Sequence, residues 1–277
     1  MGEQKGLPGL TTVSMPEGHL IHRLARLHRA WLRGRVFQVD SPQGRFIEGA
    51  KALDGARLTG VEARGKHLFY QFEGDLTLHL HLGLFGKIRT YQGTLGVRAA
   101  TCRLRMRSPG VELQVIASTI CELMSLERKA ALLTRLGPDP LDANVDPIRF
   151  IHALSHRKTP LGVALMDQTV VSGVGNIFRA EALFWAGLSP WIPSHSLPPP
   201  TVNALWKTLT ALLQAGERNG RIDTVPRSSA GERPVRGERM CVYRRDGMPC
   251  LRCAEPIQKQ PLAARMAYWC PRCQPRC

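Results

Sequence analysis

The chain contains no run of eighteen apolar residues, so it carries no helix-length membrane-spanning signal. Its N-terminus also lacks the apolar segment of a secretory signal, which argues against export. Acidic residues are scarce. Asp and Glu number 22 against 38 Lys and Arg, and the formal net charge is +16. A globular chain this basic is expected to meet a polyanion, with nucleic acid ahead of an anionic membrane surface. Its 277 residues, 43% of them hydrophobic, suffice for two domains with sizeable cores. Cysteine follows no disulfide framework. Cys102, Cys121, Cys241 and Cys277 are scattered and read as core or surface thiols, which fits a reducing, intracellular location.

The other four cysteines are ordered. Cys250-Leu-Arg-Cys253 and Cys270-Pro-Arg-Cys273 are separated by sixteen residues. Two thiolates spaced by two residues reach one ion from a tight turn, and two such pairs complete a tetrahedron around Zn²⁺. The interval suits a short hairpin and carries Lys259, Arg265, Tyr268 and Trp269. The spacing predicts one closed, structural zinc ribbon. A redox dithiol needs only one pair and leaves the second unexplained.

Residues 1–14 are Gly-rich and unpatterned, and read as a disordered lead or start-site artefact. Leu20, Leu24, Leu27 and Trp31 recur at helical spacing after Pro16 and Glu17. From Val36 to about Val115 the pattern is short strands with glycine turns, including His67–Phe72, Leu76–His81 and the basic-faced Arg103–Arg107. Gly137-Pro-Asp-Pro-Leu-Asp142 reads as a boundary, and helical patterns follow. Gly173 and Gly175 form a tight turn before a helix starting at Asn176. This turn is either a simple helical corner or a set of backbone N–H groups aimed at a phosphate. No strand precedes it, so it is not a dinucleotide fingerprint. Residues 218–240, rich in Arg, Gly, Ser and Pro, read as a mobile loop.

Four motifs in order give the chain a resemblance: Met15-Pro-Glu-Gly, Arg64-Gly-Lys-His67, Asp167 to Glu181 around the glycine turn, and the four-cysteine ribbon. Together they resemble the formamidopyrimidine-DNA glycosylase and endonuclease VIII family over roughly residues 15–274. Gly18 and Arg265-Met-Ala-Tyr-Trp-Cys-Pro271 look closer to the endonuclease VIII branch. The resemblance implies an α+β multidomain fold: an N-terminal β-sandwich with flanking helices, a helix–two-turn–helix domain, and a C-terminal four-cysteine zinc finger. The expected boundaries are a lead at 1–14, the sandwich at 15–136, a linker at 137–145, the helical domain and loop at 146–240, and the finger at 241–277. The implied function is a bifunctional DNA glycosylase and abasic-site lyase. It removes oxidised bases, pyrimidines in particular, through a Pro16 Schiff base with β,δ-elimination. The implied partner is duplex DNA with oxidised bases or abasic sites. The expected protein is a monomer without membrane contact, in the cytoplasm of a bacterial-type cell and associated with DNA.

The resemblance also assigns roles. Pro16 is the amine nucleophile, Glu17 the general acid and base, and Lys66 a contact to the damaged nucleotide's phosphate. Leu84 and Phe85 fill the duplex after base extrusion, with core packing as their plain alternative. Gly83 departs from the longer polar residue of endonuclease VIII. Asn176 and Arg265 bind phosphates, while Glu181 and Asp167 hold the helical module together. Pro16 as numbered has an amide nitrogen, which is not nucleophilic. The catalytic reading therefore requires a mature chain that starts at Pro16. Otherwise the alternative is a non-catalytic damaged-DNA-binding protein of the same fold.

Overall fold

The structure, a computed structural model, describes residues 10–14, 16–93, 99–226 and 239–276. They form two compact units, Met1–Thr134 and Arg135–Cys277.

The first unit begins with β1 (Leu10–Ser14), α1 (Gly18–Leu32), β2 (Gln38–Asp40) and α2 (Ile47–Leu53). Seven strands follow: β3 (Leu58–Arg64), β4 (His67–Phe72), β5 (Thr77–His81), β6 (Lys87–Gln92), β7 (Cys102–Ser108), β8 (Val111–Ile116) and β9 (Ile120–Met124). The helix α3 (Leu126–Arg135) closes the series. Two antiparallel sheets result, ordered β1-β6-β8-β7-β2 and β3-β4-β5-β9. Period-two alternation builds the core between them. Leu68, Tyr70 and Phe72 from β4 meet Leu78 and Leu80 from β5, and Leu113 and Val115 from β8. The helix α1 adds Ile21, Leu24, Ala25 and Leu32 to the same cluster.

One polar chain crosses this core. His28 of α1 bonds the Tyr70 hydroxyl at 2.6 Å through Nδ1 and the Thr90 hydroxyl at 2.9 Å through Nε2. Tyr70 belongs to one sheet and Thr90 to the other, so this histidine fixes α1 against both. Burial holds its imidazole pKa down at about 3, keeping it neutral.

The lead departs from expectation. Residues 1–9 and 94–98 lie outside the described residues, but Leu10-Thr-Thr-Val-Ser14 is a strand. It pairs with β6 from Leu10↔Tyr91 to Ser14↔Lys87. Three consecutive β-branched residues beside an open strand edge account for it.

The second unit contains α4 (Ile148–Ser155), α5 (Leu161–Ala164), α6 (Asn176–Ala186) and α7 (Pro199–Asn219), then β10 (Gln258–Leu262) and β11 (Arg265–Trp269). The expected linker is not a free connection. Residues 136–140 are buried, Gly137 donates its N–H to Gln168 O at 2.8 Å, and Ser172 donates to Pro138 O at 3.0 Å. Backbone pairing thus builds this segment into the helical unit. Residues 227–238, most of the expected mobile loop, lie outside the described residues, as does Cys277.

Candidate nucleic-acid interface and metal centre

The metal centre is the best-defined site. Cys250, Cys253, Cys270 and Cys273 bring their sulfurs within 4.8 Å of one another. Three of the separations are 3.4, 3.5 and 3.9 Å. Sulfurs bound tetrahedrally at about 2.3 Å from zinc lie about 3.8 Å apart, so the set fits one zinc ion. The knuckles are joined by the hairpin β10–β11, paired from Gln258↔Trp269 to Leu262↔Arg265. Its tip is Ala263-Ala264, with Ala263 at φ +51°.

The finger is fastened to α6 by buried groups. Glu181 is fully buried, and its carboxylate accepts the backbone N–H groups of Cys241 (2.7 Å), Val242 (3.0 Å) and Tyr243 (2.8 Å) and the hydroxyl of Thr224. The structural reading of Glu181 agrees with this geometry. Asp167 pairs with Arg157 at 2.9 Å and accepts the Thr169 N–H. Those contacts hold its carboxyl below the usual range, against the opposing effect of burial, the largest single influence.

Asn176 and the Arg265 hairpin are brought together. Asn176 opens α6 behind the extended Gly175, and its Nδ2 donates to Met266 O at 3.2 Å. Arg179, one turn later and 1% exposed, donates to the same carbonyl at 2.8 Å and to Gly162 O at 3.2 Å. Arg265 itself is exposed at the hairpin tip. The glycine turn ahead of α6 is clamped by Gln168, whose side chain accepts the Gly173 N–H at 3.0 Å and donates to Val174 O at 3.0 Å. Arg179 was not legible as a clamp, because a helical arginine ordinarily reads as a solvated one.

In the first unit, Pro16 and Glu17 stand immediately ahead of α1 and both are buried, Glu17 to 7% exposure. Glu17 caps the helix with its carbonyl, which accepts the Leu20 N–H at 3.0 Å. Met15 lies outside the described residues. Lys66 sits in the β3–β4 turn after Gly65, whose φ is +57°. The loop after β5 exposes Leu84 (49%) and Phe85 (81%). Core packing therefore does not explain them. Gly83 before them has φ +64°, and a Cβ there would fall 2.0 Å from Thr119 Oγ1. A longer residue at 83 would be strained by the positive φ and would require the Thr119 side chain to shift.

Three family models match the chain. The formamidopyrimidine-DNA glycosylase N-terminal domain covers residues 15–117, its H2TH domain covers 136–225, and the zinc finger found in FPG and IleRS covers 247–276. The chain belongs to the formamidopyrimidine-DNA glycosylase and endonuclease VIII family. Members are DNA glycosylases with lyase activity at abasic sites. Endonuclease 8 1 of Mycobacterium tuberculosis is 39% identical, covering 94% of this chain and 100% of its own length. Formamidopyrimidine-DNA glycosylase of Thermus thermophilus is 32% identical, covering 94% of this chain and 98% of its own. The Lactococcus lactis Fpg structure with DNA containing an abasic site matches with a TM-score of 0.81 and 25% identity, covering 94% of this chain and 100% of that one. The four-cysteine cluster and the finger match together assign one structural zinc to this family member. Among the described residues, no helix is long and apolar enough to cross a membrane.

Proposed function

We propose that this protein is a bifunctional glycosylase and lyase that removes oxidised bases, chiefly pyrimidines, from duplex DNA. The observation that carries the reading is the dipeptide Pro16-Glu17 at the head of α1, buried together and followed by Gly18. As a free N-terminus, Pro16 is a secondary amine. Its nitrogen attacks C1′ of the damaged nucleotide as the base departs with the bonding pair, the N–H proton is lost, and the C1′–O4′ bond then breaks with a proton delivered to O4′, which opens the sugar and leaves a charged iminium. The iminium draws electrons from C2′, so a proton leaves there and the strand breaks by successive β- and δ-elimination. Glu17 is the carboxyl next to Pro16 in sequence and carries protons for base departure, ring opening and elimination.

Lys66, Asn176 and Arg265 contribute cationic or amide donors to phosphates, and the planar fork of Arg265 suits two phosphate oxygens at once. Leu84 and Phe85 are exposed apolar groups able to fill a stack from which a nucleotide has been extruded. The endonuclease VIII branch is supported by Gly18, by the finger sequence Arg265–Pro271, and by the Mycobacterium relative. A second reading is favoured by one observation: β1 lies upstream of Pro16 and is paired with β6. A chain retaining β1 has an acylated Pro16, and binds damaged DNA without cutting it. A chain beginning at Met15 and trimmed of methionine has the free amine.

The test is strand cleavage of duplexes carrying an oxidised pyrimidine, 8-oxoguanine or an abasic site, using zinc-loaded protein begun at Met15. The expected outcome is cleavage of the first and third with phosphate at both ends of the gap. Intact strands on all three substrates would overturn the enzymatic reading.

A further inference from the structure

Strand β4 directs His67 and Phe69 away from the core, and β5 does the same with His79 and His81. His67 faces His81 across the ladder, and Phe69 faces His79. The rings form one cluster, stacked for His67–His79 (centroids 5.1 Å apart) and Phe69–His79 (5.0 Å) and tilted at 48° for His67–His81 (4.9 Å). Hydrogen bonds run through it in one direction. Glu122 Oε1 of β9 meets His79 Nδ1 at 3.1 Å, and His79 Nε2 meets His67 Nδ1 at 2.9 Å. Nothing in the catalytic reading uses this chain.

Its polarity follows from the donor inventory. A carboxylate only accepts, so His79 Nδ1 carries a proton toward Glu122. In a neutral ring His79 Nε2 is then the acceptor, and His67 Nδ1 is the donor. His67 Nε2 is left as the basic lone pair, one residue from Lys66. His81 Nδ1, in the same cluster, is buried without a hydrogen-bond partner. The surrounding charges are mixed. Arg64 and Glu62 lie on β3, Lys66 in the turn, and Glu122 on β9. From α3, Arg128 pairs with Glu122 at 3.2 Å, while Lys129 pairs with Glu62 and lies 5.2 Å over the Phe69 ring. A cavity of about 240 Å³, lined by Glu62, Ala63, Arg64, Phe69 and Leu133, has room for water next to the stack.

We infer that the chain Glu122–His79–His67 is a proton-linked positioning network behind Lys66, which takes up a proton from solvent when a phosphodiester docks at that turn. The inference rests on the phosphate-binding reading of Lys66. In the free protein the rings are neutral. Burial, then the neighbouring His81, His79 and Lys66, lowers the His67 pKa to about 3, and burial foremost lowers His79 and His81 too. A docked anion reverses the repulsion from Lys66 and favours the imidazolium. The proton enters at His67 Nε2. The Nδ1 proton then shifts toward His79, where Glu122 stabilises the charge. Phosphate and proton bind with positive coupling, so affinity rises as pH falls. Metal binding by the histidines is not needed to explain the cluster. Among the described residues, the four finger cysteines are the group placed to hold an ion.

The experiment is calorimetry of the zinc-loaded protein with a duplex carrying a tetrahydrofuran abasic analogue, in buffers of different ionisation enthalpy from about pH 5.5 to 7.5, the range in which histidine ordinarily titrates. The expected result is fractional proton uptake that grows toward the acid end, with Kd weakening by up to about tenfold per pH unit as pH rises, the limit for one linked proton. Glu122→Gln and His67→Asn each remove most of that uptake. Imidazole ¹⁵N shifts of the unmodified protein show His67 or His79 protonating only with duplex bound, a readout that does not depend on how the variants fold. Duplex binding with no uptake and unchanged ¹⁵N shifts would overturn the network and leave the DNA-repair reading standing. No duplex binding at any pH would overturn both.

Discussion

Single residues decide what the loop after β5 can do. Phe85 is 81% exposed, and a side chain at Gly83 would be strained by its positive φ. The apolar pair at 84 and 85 is therefore the part of this loop suited to enter a duplex. Extruding a base costs a few kcal/mol, part of which an inserted ring restores. Loss of about 1.4 kcal/mol of that compensation slows excision about tenfold. Phe85→Ala is expected to slow removal of a paired oxidised pyrimidine by about that factor, while cleavage of a preformed abasic site changes little. Single-turnover rates on the two substrates make the comparison, and equal losses on both would count against a wedge. The roles expected for such residues rest on motif order alone. Pro16, Lys66 and Asn176 are unremarkable residue types alone, and only their sequence in a family pattern singled them out. The Glu122–His79–His67 chain was not legible at all. Its members are 43 and 12 residues apart and meet only through strand register.

At the scale of elements, the finger hairpin is a small structure held by metal and anchors. Glu181 receives three backbone donors from residues 241–243, and Asn176 and Arg179 hold Met266 beside Arg265. The hairpin buries Leu262, Ala267 and Trp269, and zinc binding adds folding energy to that packing. Cys253→Ala is expected to abolish zinc binding and weaken duplex affinity by about tenfold or more, with the far-UV signal of the β-rich unit retained. Zinc analysis, titration and circular dichroism check each part, and unchanged zinc content with unchanged affinity would contradict it. The two cysteine pairs made this element readable in advance because metal geometry dictates their spacing. The strands β4, β5 and β7 were readable by alternation. The strand β1 was not, because five residues beside a Gly-rich stretch carry no periodicity that outweighs their surroundings. Residues 137–145 misled for a related reason. Proline and aspartate mark the end of a helix but do not reveal that residues 137–140 are buried, with backbone bonds joining Gly137 to Gln168 and Ser172 to Pro138.

At the scale of the whole molecule, a net charge of +16 serves a chain whose family works on DNA. Charge brings the polyanion and sets the salt dependence of binding; it does not cut it. The chemistry depends on whether one nitrogen is an amine or an amide. Borohydride reduces an iminium to a stable amine, so it records covalent catalysis directly. The decisive measurement is trapping of an oxidised-pyrimidine duplex by two forms of the protein, one begun at Met15 with methionine removed and one verified to retain residues 1–15. Each is followed by a denaturing gel and peptide mapping of the adduct. Catalysis by a free Pro16 amine predicts an adduct at Pro16 in the shorter form, and duplex binding without an adduct in the longer one. An adduct in the intact longer chain, or one mapped to Lys66 in the shorter, would contradict it.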